Sequence, residues 1–138
     1  MSSKRLEFSA SVDAEGSLCA EERESLDAGA TWTAEHLVLA ALCRCSLASL
    51  RFHAERESRS SSGSAAATGV VTRREEDGRY AFVEVQCGLD VAIEPEPEGE
   101  DLSDLLARAE RDCFISASLT VKTEYEWRVN GRAVRRTS

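Results

Sequence analysis

Cys45 lies in the apolar stretch Leu37-Val-Leu-Ala-Ala-Leu-Cys-Arg-Cys-Ser-Leu-Ala-Ser-Leu50, and Cys113 ends the amphipathic stretch Asp101-Leu-Ser-Asp-Leu-Leu-Ala-Arg-Ala-Glu-Arg-Asp-Cys113. Each thiol falls at a defined point on a predicted helix, one in the middle and one at the C-terminal end. Two thiols so placed suit a two-step reduction of an oxidant, in which one sulfur attacks and the second resolves the sulfenic acid as a disulfide. The attacking sulfur must be a thiolate near neutral pH, against an unperturbed pKa of about 8.5. Burial opposes ionisation, and a mid-helix thiol gains little from the helix dipole, so Cys45 needs a cation or several hydrogen-bond donors. The bland alternative is a small core hydrophobe.

Cys43 stands two residues from Cys45, a rotation of roughly 200° about a helix, and cannot bond it there. A metal reading through Cys43, Cys45, Cys87 and Cys113 is disfavoured, because structural zinc sites space paired ligands by typically about two to four residues on a turn. No metal is expected. Cys19 and Cys87 fall on predicted strands and read as packing residues. Glu35 has an ordinary reason to be where it is, since a carboxylate in a first turn complements the helix dipole. Ten residues of helix put it about 15 Å from Cys45. It can serve a Cys45 only across a pair of antiparallel helices from two subunits. His36 and His53 read as surface or capping groups.

A length of 138 residues predicts a single domain over 1–138. The net charge of −8 and pI near 4.8 argue against nucleic-acid and anionic-membrane surfaces, leaving small-molecule chemistry or a protein partner. Five cysteines, an odd count, and an opening Met-Ser-Ser-Lys-Arg-Leu-Glu-Phe without an apolar core predict a reducing cytoplasm rather than a secreted disulfide framework. Arg44 interrupts the longest apolar run, so no membrane span of ~20 residues is expected.

Residues Lys4–Val12 and Ser17–Arg23 read as a hairpin around the turn Asp13-Ala-Glu-Gly16. Asp27-Ala-Gly-Ala30 breaks the pattern, and Thr33 is placed to cap a helix running to about Arg59. That helix is apolar on nearly every face from Leu37 to Leu50, more than one small chain can cover, so a second subunit is expected. Ser58–Ser64 reads as a loop. Val70–Glu75 and Arg79–Ile93 predict a hairpin closed at Glu76-Asp-Gly78. Glu94-Pro-Glu-Pro-Glu-Gly-Glu100 reads as a solvated connector. Leu102, Leu105, Leu106, Ala109 and Cys113 share one helical face. Ser116–Trp127 alternates as a strand that Asn130-Gly131 turns back. The predicted class is α+β, antiparallel hairpins wrapping a long central helix and a second helix.

Trp32-Thr-Ala-Glu-His-Leu-Val-Leu-Ala-Ala-Leu-Cys-Arg-Cys45 resembles the cysteine-bearing central helix of the OsmC/Ohr group, the osmotically induced and organic-hydroperoxide-resistance proteins. Ala109-Glu-Arg-Asp-Cys-Phe-Ile-Ser116 is similar to that group's second cysteine segment. The element order agrees too, so the resemblance covers most of the chain. It aligns Cys45 with the family's attacking cysteine, Cys113 with its resolving cysteine and Glu35 with its catalytic glutamate. It implies an intertwined homodimer that reduces organic hydroperoxides through Cys45 and Cys113, is recycled by an external dithiol, and needs no cofactor. Ala34 and Phe114 stand where the family has prolines, and the hairpin lacks the family's thiolate-steadying arginine, with Arg5 and Arg23 nearest in sequence. These departures mark a divergent branch, for which a non-catalytic ligand-binding or redox-sensing role is the alternative.

Overall fold

Apolar residues recur along α1, Ala34–Arg56, until a left-handed residue, Ser58 at φ 60°, ends the helical path. The computed structural model describes residues 5–15, 17–21, 24–27 and 31–134. The chain divides into two compact units, residues 1–37 and 38–138.

In the first unit, β1 (Ala10–Val12), β2 (Ser17–Ala20) and β3 (Leu26–Asp27) form an antiparallel sheet in the order β1-β2-β3. The Asp13 carboxylate accepts from the Glu15 and Ser17 N–H groups, which shapes the expected turn. The third strand reaches Asp27, where the expected break begins. Arg23 and 28–30 lie outside the described residues. Thr33 caps α1 as predicted: its hydroxyl accepts the His36 N–H at 3.2 Å while His36 Nδ1 accepts the Thr33 N–H at 3.0 Å. This is a capping box with histidine in the reciprocal place, which gives His36 its capping role.

In the second unit, a four-stranded sheet has the order β4-β5-β6-β7. Its strands are β4 (Ser60–Arg73), β5 (Tyr80–Glu94), β6 (Thr123–Val129) and β7 (Arg132–Val134). The β4–β5 hairpin turns at the predicted Asp77-Gly78, where Gly78 takes φ 71° and Asp77 holds Arg74 at 2.6 Å. Asn130 and Gly131, at φ 49° and 82°, make the predicted turn into β7. The segment Ser58–Ser64 corrects the loop expectation, because β4 starts at Ser60 and pairs with Glu94 at the far end of β5. Serine and glycine disfavour strands by themselves, and the fifteen-residue partner overrides that preference.

The helix α2 (Glu100–Arg111) buries Leu105, Leu106 and Ala109, the face its periodicity predicts. Its end differs from expectation. Asp112 closes the helix, and Cys113 then starts a short helix α3, Phe114–Ser118, so the expected strand begins only at Thr123. The α2–α3 crossover returns the chain parallel to β5, which makes the sheet mixed where hairpins alone were expected. The acidic connector is also less solvated than expected: Pro97 is fully buried and Glu96 accepts from Asn130 at 2.6 Å.

The core joins Leu42 and Leu50 of α1, the alternating Val85, Cys87, Leu89, Val91 and Ile93 of β5, the α2 leucines, Cys113, Trp127 and Val129. The apolar 23-residue α1 corrects the expectation that nothing here matches a bilayer in length, for its most apolar window has a mean hydropathy of 1.4. Its stripe Leu42, Ser46, Ser49, Leu50 and Ala54 packs as the core helix of a folded domain does. Only 22% of that window is buried within the chain.

Candidate functional site

The site is built where α1, the α2–α3 junction and β6 converge. Cys45 and Ser46 are consecutive on α1, so their side chains diverge by about 100°. Ser46 points into the core and Cys45 lies half-buried on its flank. The helix break at Asp112 places Cys113 at the N-cap of α3, fully buried, with its thiol beside that of Cys45. The two predicted sulfurs, 68 residues apart in sequence, are thus neighbours.

Their surroundings differ. Burial pushes the Cys45 thiol up, the Ile115 and Phe114 backbone N–H groups oppose it, and the neighbouring Cys113 raises it further. Cys113 is also raised by burial, but its donors win and hold it below the ordinary cysteine range. The Ser116 N–H points toward its sulfur without completing a full capping bond. The Ser46 hydroxyl donates to it at 3.5 Å, and the neighbouring Cys45 thiol and Tyr125 hydroxyl lower it further. Ser46 and Tyr125 are tied to each other at 3.1 Å. In the reduced site, Cys113 is therefore the more acidic sulfur and Cys45 the proton donor to it.

Ser46 and Tyr125 are functional candidates that sequence reasoning missed. Ser46 carried a signal: it is the one polar residue in the stripe Leu42, Ser46, Leu50, Ala54 at four-residue spacing, and a buried hydroxyl there needs a partner. Burial pushes the Tyr125 phenol up to about 12, so it remains a donor at neutral pH. A thiolate absorbance titration at 240 nm should show one sulfur ionising below the ordinary range near 8.5. Cys113→Ser should remove that step, and Ser46→Ala should move it to higher pH. A Ser46→Ala curve superimposable on that of the parent would discount the hydroxyl.

The frame around Cys113 is anchored by polar contacts. Ser49 donates to the Ala109 carbonyl at 2.8 Å, and Trp127 Nε1 donates to Glu110 at 2.7 Å. His53 bonds Asp112 at 2.8 Å, which gives it a structural role. Arg111, then His53, hold the Asp112 carboxyl below the usual range. Their support is present above the ordinary carboxylate pKa and fades as pH falls through the lowered one.

Glu35 stands exposed in the first turn of α1, within the N-terminal unit. Arg5, in the same unit, faces Glu7 at 3.5 Å. Among the described residues, no group of three or more His, Cys, Asp or Glu side chains is disposed to hold a metal. An open cleft of about 1810 Å³ runs beside Tyr125, Ser116, Leu119 and Trp127, and neither Cys45 nor Cys113 lines it.

The fold is similar to that of an OsmC-like protein from Vibrio cholerae, with a TM-score of 0.74 at 16% identity over 89% of this chain and 99% of that one. An OsmC-like protein from Mycoplasma pneumoniae matches with a TM-score of 0.69 at 16% identity, covering 91% and 97%. An organic hydroperoxide resistance protein from Elizabethkingia anophelis matches with a TM-score of 0.63 at 18% identity, covering 91% and 96%. No curated protein sequence matches the chain. The OsmC-like protein model matches residues 27–128, a span holding Glu35, Cys45 and Cys113. With that match over most of its length and the α+β fold of those structures, the chain belongs to the OsmC-like family.

Proposed function

We propose that the protein is a thiol-dependent peroxidase for organic hydroperoxides, working through Cys45 and Cys113. The observation that carries this reading is the juxtaposition of the two thiols, brought from separate elements to the donors around Cys113. Cys45 is half-buried and reachable, whereas Cys113 is sealed, so access favours Cys45 as the attacking sulfur. The Cys113 thiolate takes the Cys45 proton as the Cys45 sulfur bonds the terminal peroxide oxygen. The O–O bond breaks, and the leaving alkoxide receives that proton from Cys113 and departs as the alcohol. Cys113, again a thiolate, attacks the Cys45 sulfenic acid; a disulfide forms and hydroxide leaves, taking a proton from solvent to become water. An external dithiol attacks the Cys45 sulfur and expels Cys113, the better leaving group because its pKa is lower. The reductant's second thiol attacks the reductant sulfur of the mixed disulfide and expels Cys45, so the reductant ends as a disulfide and both protein sulfurs are reduced. Consumption of an organic hydroperoxide in the presence of a dithiol tests the reading; no consumption above the thiol-free rate would overturn it.

A ligand-binding or redox-sensing role draws on one specific observation, the raised Cys45 thiol, which without activation stays protonated.

The sparse cover of α1 supports a homodimer, the partner helix burying its remaining apolar surface. With the two helices antiparallel, Glu35 of the partner subunit would organise the donor near Cys45, and each site would be shared. Light scattering at micromolar concentration should give twice the chain mass of 15.1 kDa; a monomer would remove the shared site. The acidic chain and its odd count of five cysteines suit the cytoplasm.

A further inference from the structure

Three polar residues of α1, Ser46, Ser49 and His53, follow one another at i, i+3 and i+7 and so share one helical stripe. All three reach the junction between α2 and α3. Ser46 donates to the Cys113 sulfur at 3.5 Å, Ser49 donates to the Ala109 carbonyl at 2.8 Å, and His53 Nε2 lies 2.8 Å from the Asp112 carboxylate. The same helix carries Cys45 beside Ser46, so the last turn of α2 and the sulfur after it are fixed against the element that bears the other sulfur. His53 holds the residue directly before Cys113, and its side chain is only 12% exposed, which shields the bond from water. Asp112 does not need that bond to satisfy its charge, because Arg111 already donates to both carboxylate oxygens, at 2.9 and 3.0 Å. Arg111 is its immediate neighbour and ties it to nothing else. His53 comes from 59 residues away and ties it to α1.

We propose that His53 is a positioning residue for the resolving step, holding Asp112 to α1 so that the Cys113 sulfur closes on an oxidised Cys45 before Cys45 is oxidised further. The source of the oxidised Cys45 rests on the peroxidase reading. In the step, the Cys113 thiolate attacks the Cys45 sulfur, the S–S bond forms, the S–O bond of the sulfenic acid breaks, and the departing hydroxide takes a proton from solvent. Closure brings the sulfurs to ~2.05 Å and tolerates a narrow range of Cα spacing, so it feels a displaced backbone more than the passage of a proton between neighbouring sulfurs does. A misplacement of about 1 Å can cost about a hundredfold in rate, and loss of one tie among three is expected to cost about tenfold. A sulfenic acid that waits longer meets a second hydroperoxide, which oxidises it to the sulfinic acid and leaves as the alcohol.

The test loads Cys45 of the full chain in two ways and follows the products by quenched, non-reducing mass spectrometry. One arm uses tert-butyl hydroperoxide. The other uses methyl methanethiosulfonate, which places a methylthio group on Cys45 without any peroxide; Cys113 then expels methanethiolate, which solvent protonates. The second arm keeps a failure of the peroxidase reading apart from a failure of this one. In His53→Ala, the rate of Cys45–Cys113 closure divided by the rate of Cys45 loading should fall about tenfold, with more Cys45 sulfinic acid in the hydroperoxide arm. His53→Gln, whose amide can donate to Asp112 in place of Nε2, should restore most of the ratio, which refilled volume alone would not do. Arg111→Ala breaks only the exposed local pair and should leave the ratio within about twofold. If His53→Ala does not fold, Asp112→Ala, which cuts the same bond from its more exposed side, takes its place. An unchanged ratio in the cut variant, a His53→Gln as slow as His53→Ala, an equal fall in Arg111→Ala, or no closure in the full chain would overturn the assignment.

Discussion

Replacing Cys45 by Ser should abolish dithiol-dependent hydroperoxide turnover, because an alcohol far less acidic than a thiol cannot supply the attacking anion. Replacing Cys113 by Ser should have a different result. That variant keeps the attacking sulfur and loses both the resolving sulfur and the acceptor of the Cys45 proton. It should react once, more slowly, and leave a Cys45 sulfenic acid that a dimedone-type reagent labels and that excess hydroperoxide drives to the sulfinic state. Its single-turnover rate should climb as pH rises toward the Cys45 pKa, which burial still raises without Cys113, since hydroxide then does what the Cys113 thiolate did. Labelling of Cys113 in the Cys45→Ser protein would reverse the two roles. If neither sulfur is labelled at any dose, the ligand-binding or sensing role replaces catalysis.

Gly63→Ala should destabilise the protein by about 2–4 kcal/mol, read as a lower urea midpoint with an unchanged slope. A Cβ there would lie 2.3 Å from the Asp90 carbonyl oxygen and 2.7 Å from the Val91 Cα, both backbone atoms of the central strand β5. Backbone that carries Val91 and its core neighbours cannot give way cheaply. Gly88→Ala is the internal control, for its nearest atom to a new Cβ is 4.0 Å away and the change should be near neutral. A loss in Gly88→Ala as large as in Gly63→Ala would mean that the close approach does not set the cost, since restricting the unfolded chain is by itself stabilising.

What the sequence determined by itself is what short-range physics controls. The spacing of Leu102, Leu105, Leu106 and Ala109 marks a face because a helix repeats every ~3.6 residues. Asp77-Gly78 and Asn130-Gly131 mark turns because few residues accept positive φ, and Thr33 marks a helix start because its hydroxyl caps the neighbouring N–H groups. The same local patterns around Cys45 and Cys113 were enough to indicate the family. Long-range contacts decided the rest. Residues Ser60–Ser64 have little strand preference, and they extend only because β5 offers a ladder to pair with. Parallel pairing of β6 depends on the whole α2–α3 crossover, which no window of residues contains. The acidity of Cys113 was equally out of reach. It depends on burial and on donors from elsewhere in the chain, such as Tyr125, 79 residues beyond the Ser46 it bonds. Local geometry follows from neighbours along the chain, whereas the proton affinity of a buried sulfur follows from neighbours in space.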